Sequence, residues 1–509
     1  MTTPLTPVTE DMNELTAERL RKLEQVRAQG LDPYPAHVER SHSNAEAVAL
    51  FETWEREQPT PDNPPSTPDG PAVAVAGRLM SLRPHGKLTF ATIQDATGSL
   101  QLAFRRDHIG VDAYRWLQEV FDRGDFIGAR GTLFRTRTGE VTVQVDQYAM
   151  LAKALNPLPE KWHGLKDTDA RYRQRYLDLL TNPEARQVFL VRTGIVRAMR
   201  RFLDERGFIE VETPVLQPLY GGAAARPFTT HYNALDQEMY LRISDELYLK
   251  RLIVGGLDRV YEIGKDFRNE ELDTTHNPEF TQMECYWAYA DYRDMMALTE
   301  QMIASIAQSV LGTMQIETHG HQVDLTPPWR RLSLRDGILE TSGIDIYAAG
   351  DYASLTAAIQ AKGLRISPKP TWGQLVNELL DECLQPTLIQ PTFVLDYPTE
   401  ISPLAKKKPD APHLTERFEV FIATRETGNA FSELNDPLDQ RERFMQQVRM
   451  HAAGDEEAMP LDEDYILALM HGMPPTAGLG VGIDRLTMLL ADRPSIREVI
   501  LFPQLRTMK

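Results

Sequence analysis

Two cysteines, Cys285 and Cys383, are too few for a disulfide framework or for a thiolate zinc site of their own. A reducing compartment is the natural setting for such a chain. Long apolar runs are missing as well. None approaches the ~20 residues of a membrane-spanning helix, and Met1-Thr2-Thr3-Pro4-Leu5-Thr6-Pro7 carries no signal-peptide pattern. A soluble, cytoplasmic protein without a membrane partner is expected. Positive charge is also scarce: 55 Lys and Arg face 73 Asp and Glu, a net charge of −18. That excludes a broadly basic surface that coats nucleic acid by charge alone. What the chain does have is length, and 509 residues exceed what one core can organise, so two or more domains are expected.

Residues 10–30 have helical character, with Leu15, Leu20, Leu23 and Val26 as a partial stripe before Gly30. A polar, proline-rich stretch at 57–71 reads as a loop, closing an N-terminal segment 1–70. From 71 to 155 the pattern turns to strands. Val73/Val75, Leu88/Phe90, Leu100/Leu102/Phe104, Ile127 to Phe134 and Val141/Val143/Val145 supply five, with a helix-like piece from Val111 to Phe121 between the third and fourth. Five short strands and one helix in that position predict an OB-fold barrel, whose face and loops bind single-stranded nucleic acid. This stretch holds 11 Lys/Arg against 8 Asp/Glu, a local balance of +3 that suits selective contacts. Gln101 alternates with the apolar face of its strand, and Glu140 shares a face with Thr142 and Gln144, so both are expected to point away from the core. Residues 156–176 read as a linker.

Asn182-Pro183 starts a helix whose Val188, Val191, Ile195, Met199 and Phe202 form a 3-4 stripe. It leads into Arg206-Gly207-Phe208-Ile209-Glu210-Val211-Glu212-Thr213-Pro214, a glycine stop followed by a strand. Further on, Val260-Tyr261-Glu262-Ile263 leads to Phe267-Arg268-Asn269-Glu270, a polar loop, His276-Asn277-Pro278-Glu279-Phe280 and Glu284. That is a strand, a loop and a second strand, hence an antiparallel hairpin with Arg268 and Glu270 on one face. Gly478-Leu479-Gly480-Val481-Gly482-Ile483-Asp484-Arg485 places a glycine at every second position. Alternate glycines clear one strand face, so a flat ligand can lie on the backbone with Arg485 at the mouth of the next helix. A dinucleotide loop is excluded by space: only 27 residues follow Gly482, and a βαβ unit needs about 30.

In order and spacing these three segments resemble motifs 1, 2 and 3 of the class II aminoacyl-tRNA synthetases. Longer strings resemble the bacterial lysyl-tRNA synthetases: Arg171-Tyr172-Arg173-Gln174-Arg175-Tyr176-Leu177-Asp178-Leu179, Gly221-Gly222-Ala223-Ala224-Ala225-Arg226-Pro227-Phe228, Glu246-Leu247-Tyr248-Leu249-Lys250-Arg251 and Phe431-Ser432-Glu433-Leu434-Asn435-Asp436. The resemblance runs from about residue 12 to the end. It implies an α+β protein, with the OB-fold barrel followed by a class II catalytic domain at 177–509: a mixed, mostly antiparallel sheet flanked by helices, with a helical insertion around 291–415. It implies a lysine–tRNA ligase that uses ATP to activate L-lysine as lysyl-adenylate, then transfers it to the 3′ end of tRNA(Lys). The motif 1 helix implies a homodimer.

Activation is attack of the amino-acid carboxylate on the α-phosphate, which requires charge stabilisation and alignment more than a protein nucleophile. The resemblance assigns catalysis to Arg268 and Arg485. ATP falls to Arg268, Glu270, His276, Asn277, Phe280 and Arg485, with Phe280 and Arg485 sandwiching the adenine. Lysine falls to Glu246, Arg268, Glu284, Tyr286, Asn429, Phe431, Glu433 and Gly480. Glu433 would take the ε-ammonium, since a buried cation needs a carboxylate partner. Glu246 would take the α-amino group. Mg2+ needs hard oxygen ligands, and the resemblance names Glu419 and Glu426. They are seven apart, an odd number, so a bulge or turn between them is required if both face one ion. In the barrel, Phe90 would stack on an anticodon base while Arg83, Gln101 and Glu140 contact base edges; an acidic Glu140 would repel phosphate, leaving a base donor as its partner.

The sequence departs from the family at Thr275, where arginine is common, in the acidic Glu271-Leu272-Asp273-Thr274, and at Ala430, where glycine is common. Three other readings stand beside the favoured one. An aspartate- or asparagine-specific relative would need a cationic or amide pocket, which Glu433 and Glu246 oppose. A protein-lysylating paralogue would lack the barrel. A non-catalytic RNA-binding scaffold would have lost Arg268, Arg485 or the glutamate pair.

Overall fold

The computed structural model describes residues 14–58, 70–159, 167–270, 272–452 and 457–506. The chain forms two compact units, Met1–His163 and Gly164–Lys509.

The first unit opens with helix α1 (Glu14–Ala28) and helix α2 (Asn44–Glu57). Leu23 and Val26 are buried as the stripe predicts, but Leu15 is exposed. The first turns of α1 are instead anchored by Arg19, whose guanidinium donates to the carbonyls of Arg123, Ala154 and Asn156. Helix α2 was not among the expected elements. Its signal is local: Ser43 and Glu46 form a capping box, and Ala47 and Phe51 are buried below it. Of the proline-rich stretch, residues 59–69 lie outside the described residues.

Strands β1 (Ala72–His85), β2 (Leu88–Gln94), β3 (Ser99–Arg105), β4 (Phe126–Arg135) and β5 (Val141–Ala152) close into a barrel of order β1-β2-β3-β5-β4. Helix α3 (Val111–Val120) lies between β3 and β4 and buries Tyr114, Leu117 and Val120. β3 and β5 run parallel and the other neighbours antiparallel, the arrangement expected of an OB-fold.

In the second unit, helices α4 (Thr168–Arg173) and α5 (Arg175–Thr181) occupy part of the expected linker. They are tied down by polar contacts: buried Arg175 pairs with Asp178 at 2.6 Å and donates to the carbonyls of Arg497, Ile500 and Leu501. Residues 160–166 lie outside the described residues. Helix α6 (Pro183–Asp204) buries all five stripe residues, and Gly207 follows it at φ +77°, a left-handed conformation suited to a chain stop.

The central sheet has eight strands. They are β6 (Ile209–Glu210), β7 (Arg259–Phe267), β8 (Glu279–Ala288), β9 (Arg330–Ser333), β10 (Thr392–Leu395), β11 (Arg417–Ile422), β12 (Arg425–Ser432) and β13 (Thr476–Gly482). The order is β9-β10-β11-β12-β13-β8-β7-β6; only the pairs β9/β10 and β6/β7 are parallel. The 291–415 stretch contains the expected helices, including Tyr292–Leu311, Leu334–Ser342, Tyr352–Ala361 and Trp372–Leu379. It also contributes β9 and β10 to the sheet edge. β10 reads as continuously apolar because both its faces are covered: Phe393 joins one buried cluster and Val394 another.

Candidate active site

Pairing register builds the site. Across five strands, Glu262 pairs with Glu284, Glu284 with Gly480, Gly480 with Asn429 and Asn429 with Glu419. Two residues along, Tyr286, Gly478, Phe431 and Arg417 form the next row on the same face. In both rows the central position is a β13 glycine. A Cβ on Gly478 would lie 2.3 Å from Glu433 Oε1 and 2.5 Å from the Tyr286 ring, and one on Gly480 would lie 2.9 Å from Gln282 Nε2. The bare strand therefore lets neighbouring side chains close over it.

A cavity of about 440 Å3 opens above these rows. Its lining includes Glu246, Glu284, Tyr286, Asn429, Phe431 and Gly480. It also includes Arg268, Glu270, His276, Asn277, Phe280, Glu426 and Arg485. Two expected site residues do not line it. Glu433 is buried behind Gly478 and Tyr286, and Glu419 stands one strand outward.

Arg268 follows the last paired residue of β7, and its N–H continues the ladder to Pro278 O at 2.9 Å. Its guanidinium lies 5.0 Å from the Phe280 ring centre and donates to Ile243 O at 3.3 Å. Among the described residues it makes no salt bridge. Arg268 and Glu270, expected together on one face of the strand, both lie beyond it, because β7 ends at Phe267. Phe280 faces Arg268, while Arg485, near the start of the helix Ile483–Leu490, pairs with Glu426 at 2.8 Å and approaches His276 Nε2 at 3.3 Å. His276 Nδ1 is held 2.8 Å from Asp273. Asn277 braces its loop, donating to Glu279 O at 2.6 Å. Glu271 lies outside the described residues.

The floor is acidic. Glu284 accepts from Ser244 Oγ at 3.0 Å, Gln282 Nε2 at 2.8 Å and Tyr286 Oη at 2.9 Å. Burial, then the charges of Glu246 and Asp266, push its carboxyl up to about 7. Asp245, Asp266 and Glu284 are buried with oxygens within 4.8 Å of one another. Arg242 stands 3.2 Å from Asp266, so this group is already partly compensated. Fully buried Lys250 lies within ion-pair distance of both Glu246 and Glu433.

Glu419 and Glu426 sit on either side of the tight turn joining β11 to β12. Ala423 and Thr424 there have φ +49° and +65°, and a bulge shifts the register at Val420/Phe421. The irregularity demanded by their odd spacing is thus present. Glu419 is held by Arg417 at 2.6 Å and Tyr397 Oη at 2.9 Å. Burial pushes it up to about 7 against the pull of Arg417, and Glu426 and Asp381 add to the rise. Carboxylates offer the hard oxygen donors suited to a divalent cation.

In the barrel, Arg83 pairs directly with Phe90, Phe90 with Ala103, and Thr92 with Gln101. Phe90 and Gln101 therefore share the outer face, with Phe90 half-buried and its ring 6.5 Å from that of His85. Gln101 points outward as expected, yet only 5% of it is exposed. Its Nε2 donates to Glu140 at 2.5 Å, and its Oε1 accepts from Thr142 Oγ1 at 3.0 Å. A base donor is therefore not the only partner open to Glu140: a protein amide serves, because a neutral donor brings no repelling charge.

Lys250, Arg417, Ser244 and the Asp245/Asp266 pair were not picked out from sequence. Two of them had a signal, Glu246 and Lys250 being four apart on a helix and Arg417 and Glu419 two apart on a strand. The others depend on chain reversals that bring distant segments together.

A profile of the family described as tRNA synthetases class II (D, K and N) matches residues 167–506, and one described as OB-fold nucleic acid binding domain matches residues 73–151. The lysine--tRNA ligase of Roseiflexus castenholzii is 54% identical over 497 residues, covering 97% of this chain and 99% of that protein. That of Chloroflexus aurantiacus is also 54% identical, with the same coverage. The lysine--tRNA ligase of Carboxydothermus hydrogenoformans is 50% identical, covering 98% of this chain and 99% of its own.

Proposed function

The chain belongs to the class II tRNA synthetases (D, K and N), and from that membership we infer that it is a lysine–tRNA ligase. It activates L-lysine with ATP to lysyl-adenylate, releasing pyrophosphate, and passes the lysyl group to the 3′ end of tRNA(Lys). The observation that carries the choice of amino acid is the charge of the cavity floor. Glu246 and Glu284 line it and Glu433 lies just behind Gly478, which suits a substrate with two amines and opposes aspartate or asparagine.

In this reading the lysine carboxylate attacks the α-phosphate, and Arg268 bridges the two anions, which otherwise repel. Phe280 and Arg485 flank the adenine, and His276 with Asn277 faces the phosphates. Glu419 and Glu426 would hold Mg2+, which when bound neutralises phosphate charge. The barrel reads the anticodon through Phe90, Arg83, Gln101 and Glu140. We also propose a cytoplasmic homodimer. Ile209 and Leu190, on the motif 1 strand and helix, are exposed apolar residues that a partner subunit would cover. Among the described residues no helix is long and apolar enough to cross a membrane.

Lysine-dependent ATP–pyrophosphate exchange, screened against all amino acids, tests the reading; exchange driven by another amino acid, or by none, rejects it. Two expectations follow from the geometry. Gly478→Ala introduces a methyl into contact with Glu433 and Tyr286, both buried and unable to swing away. Such overpacking costs about 1–3 kcal/mol, so the lysine KM should rise by about ten- to a hundredfold with the ATP KM nearly constant, as read by exchange. Phe90→Ala should weaken tRNA charging at limiting tRNA by about 1–3 kcal/mol of lost stacking while leaving exchange intact. Normal charging by this variant would remove the barrel face from anticodon reading.

A further inference from the structure

Lys250 has no role in the reaction just described, yet it sits against both glutamates to which the two substrate amines are assigned. It lies one turn after Glu246 on helix α7 (Glu246–Val254) and is fully buried. Its ammonium reaches Glu246 and Glu433, with the rings of Phe431 and Tyr465 5.5 and 6.0 Å away. A buried ammonium is tolerated only with such partners. Burial would strip its proton, and the two glutamates outweigh burial and hold the group above its ordinary range.

The oxygens of Glu433 are divided. Oε2 lies within ion-pair distance of Lys250 and Oε1 lies behind Gly478, which lines the cavity; among the described residues neither oxygen has a hydrogen-bond partner. Glu246 gives one oxygen to Lys250 and itself lines the cavity. One ammonium stands against two carboxylates: burial raises both glutamates in spite of Lys250, Glu433 well above its ordinary range with the charge of Glu246 adding to the rise, and one further ammonium would favour their ionised forms. The unpartnered Oε1 at the cavity seam is the acceptor for it.

Resting on the lysine-ligase reading, we propose that Lys250 is a positioning and specificity-determining residue. It holds Glu246 and Glu433 in place and offsets part of their charge, so that the floor presents Glu433 Oε1 to the side-chain ammonium of the substrate. A residue that merely glued α7 to the sheet would affect stability and all substrates alike.

The test uses the full-length protein, and wild-type lysine-dependent exchange is measured first; its absence rejects the ligase reading and not the role of Lys250. With exchange established, Lys250→Met keeps the length of the side chain and removes its charge. The lysine KM is expected to rise by about tenfold or more, with the ATP KM within about twofold and kcat less affected, the pattern of lost ground-state binding. Lys250→Arg keeps the charge on a wider group and should give an intermediate lysine KM. In Lys250→Ala, added methylammonium should lower the lysine KM and leave the ATP KM unchanged. The proposal is overturned if Lys250→Met leaves the lysine KM unchanged, or if both KM values rise together. Should Lys250→Met not fold, Lys250→Arg decides alone: a selective shift in lysine KM supports the role, and equal or absent shifts overturn it.

Discussion

Arg268→Ala is expected to reduce lysine-dependent pyrophosphate exchange by about two decades or more, since losing a charged contact made in the transition state costs about 3 kcal/mol. The fold should survive. Arg268 makes no salt bridge among the described residues; its guanidinium donates to a carbonyl and lies over the Phe280 ring. An unchanged thermal midpoint with lost exchange is the expected pair of measurements. The loss should fall on kcat more than on either KM, because the bridge between carboxylate and α-phosphate tightens only as the two approach. Exchange close to that of the wild type would remove Arg268 from the chemistry.

Glu433→Gln should show the opposite pattern. The amide keeps the shape of the carboxylate behind Gly478 but not its charge, leaving the substrate ammonium poorly paired at a cost of about 2–4 kcal/mol. That is a rise of roughly 30- to 1000-fold in lysine KM. The ATP requirement should hardly move, since Glu433 is separated from the Arg268 and Phe280 end of the cavity by Tyr286 and Glu284. Parallel shifts in both requirements would make Glu433 part of the scaffold. Lysine protection against thermal unfolding should be lost with the same substitution, a second readout that does not involve ATP.

Much of this arrangement was legible in the chain because it is periodic. The helix from Pro183 buries its 3-4 stripe, the five barrel strands follow their alternating residues, and the β13 glycines clear one face because parity requires it. The turn and bulge between Glu419 and Glu426 supply the irregularity that their odd spacing would require if both held one ion. Other features were hidden because they depend on where strands stop and which segments meet. Arg268 and Glu270 both fell outside their expected strand once β7 ended at Phe267. Gln101 points away from the barrel core as expected, but the loop before β5 brings Glu140 over it and buries it. β9 and β10 were lost in a stretch that looked helical because their neighbours are helices. Lys250 was passed over for a further reason: a lysine on a helix is normally a surface charge, and only the fold reveals that its helix enters the floor of the cavity.

The tip of the β11–β12 hairpin carries a practical consequence. Ala423 and Thr424 both take left-handed backbone conformations that residues with a side chain adopt at a cost of about 1 kcal/mol each. Ala423 is fully buried and its methyl contributes to packing, whereas Thr424 is only half-covered. Anyone wishing to make a hardier form of this enzyme therefore has a first target away from the tightly packed interior. Glycine at 424 would relieve the backbone, keep the N–H bond to Leu388 O at 2.8 Å, and leave the two flanking glutamates in register.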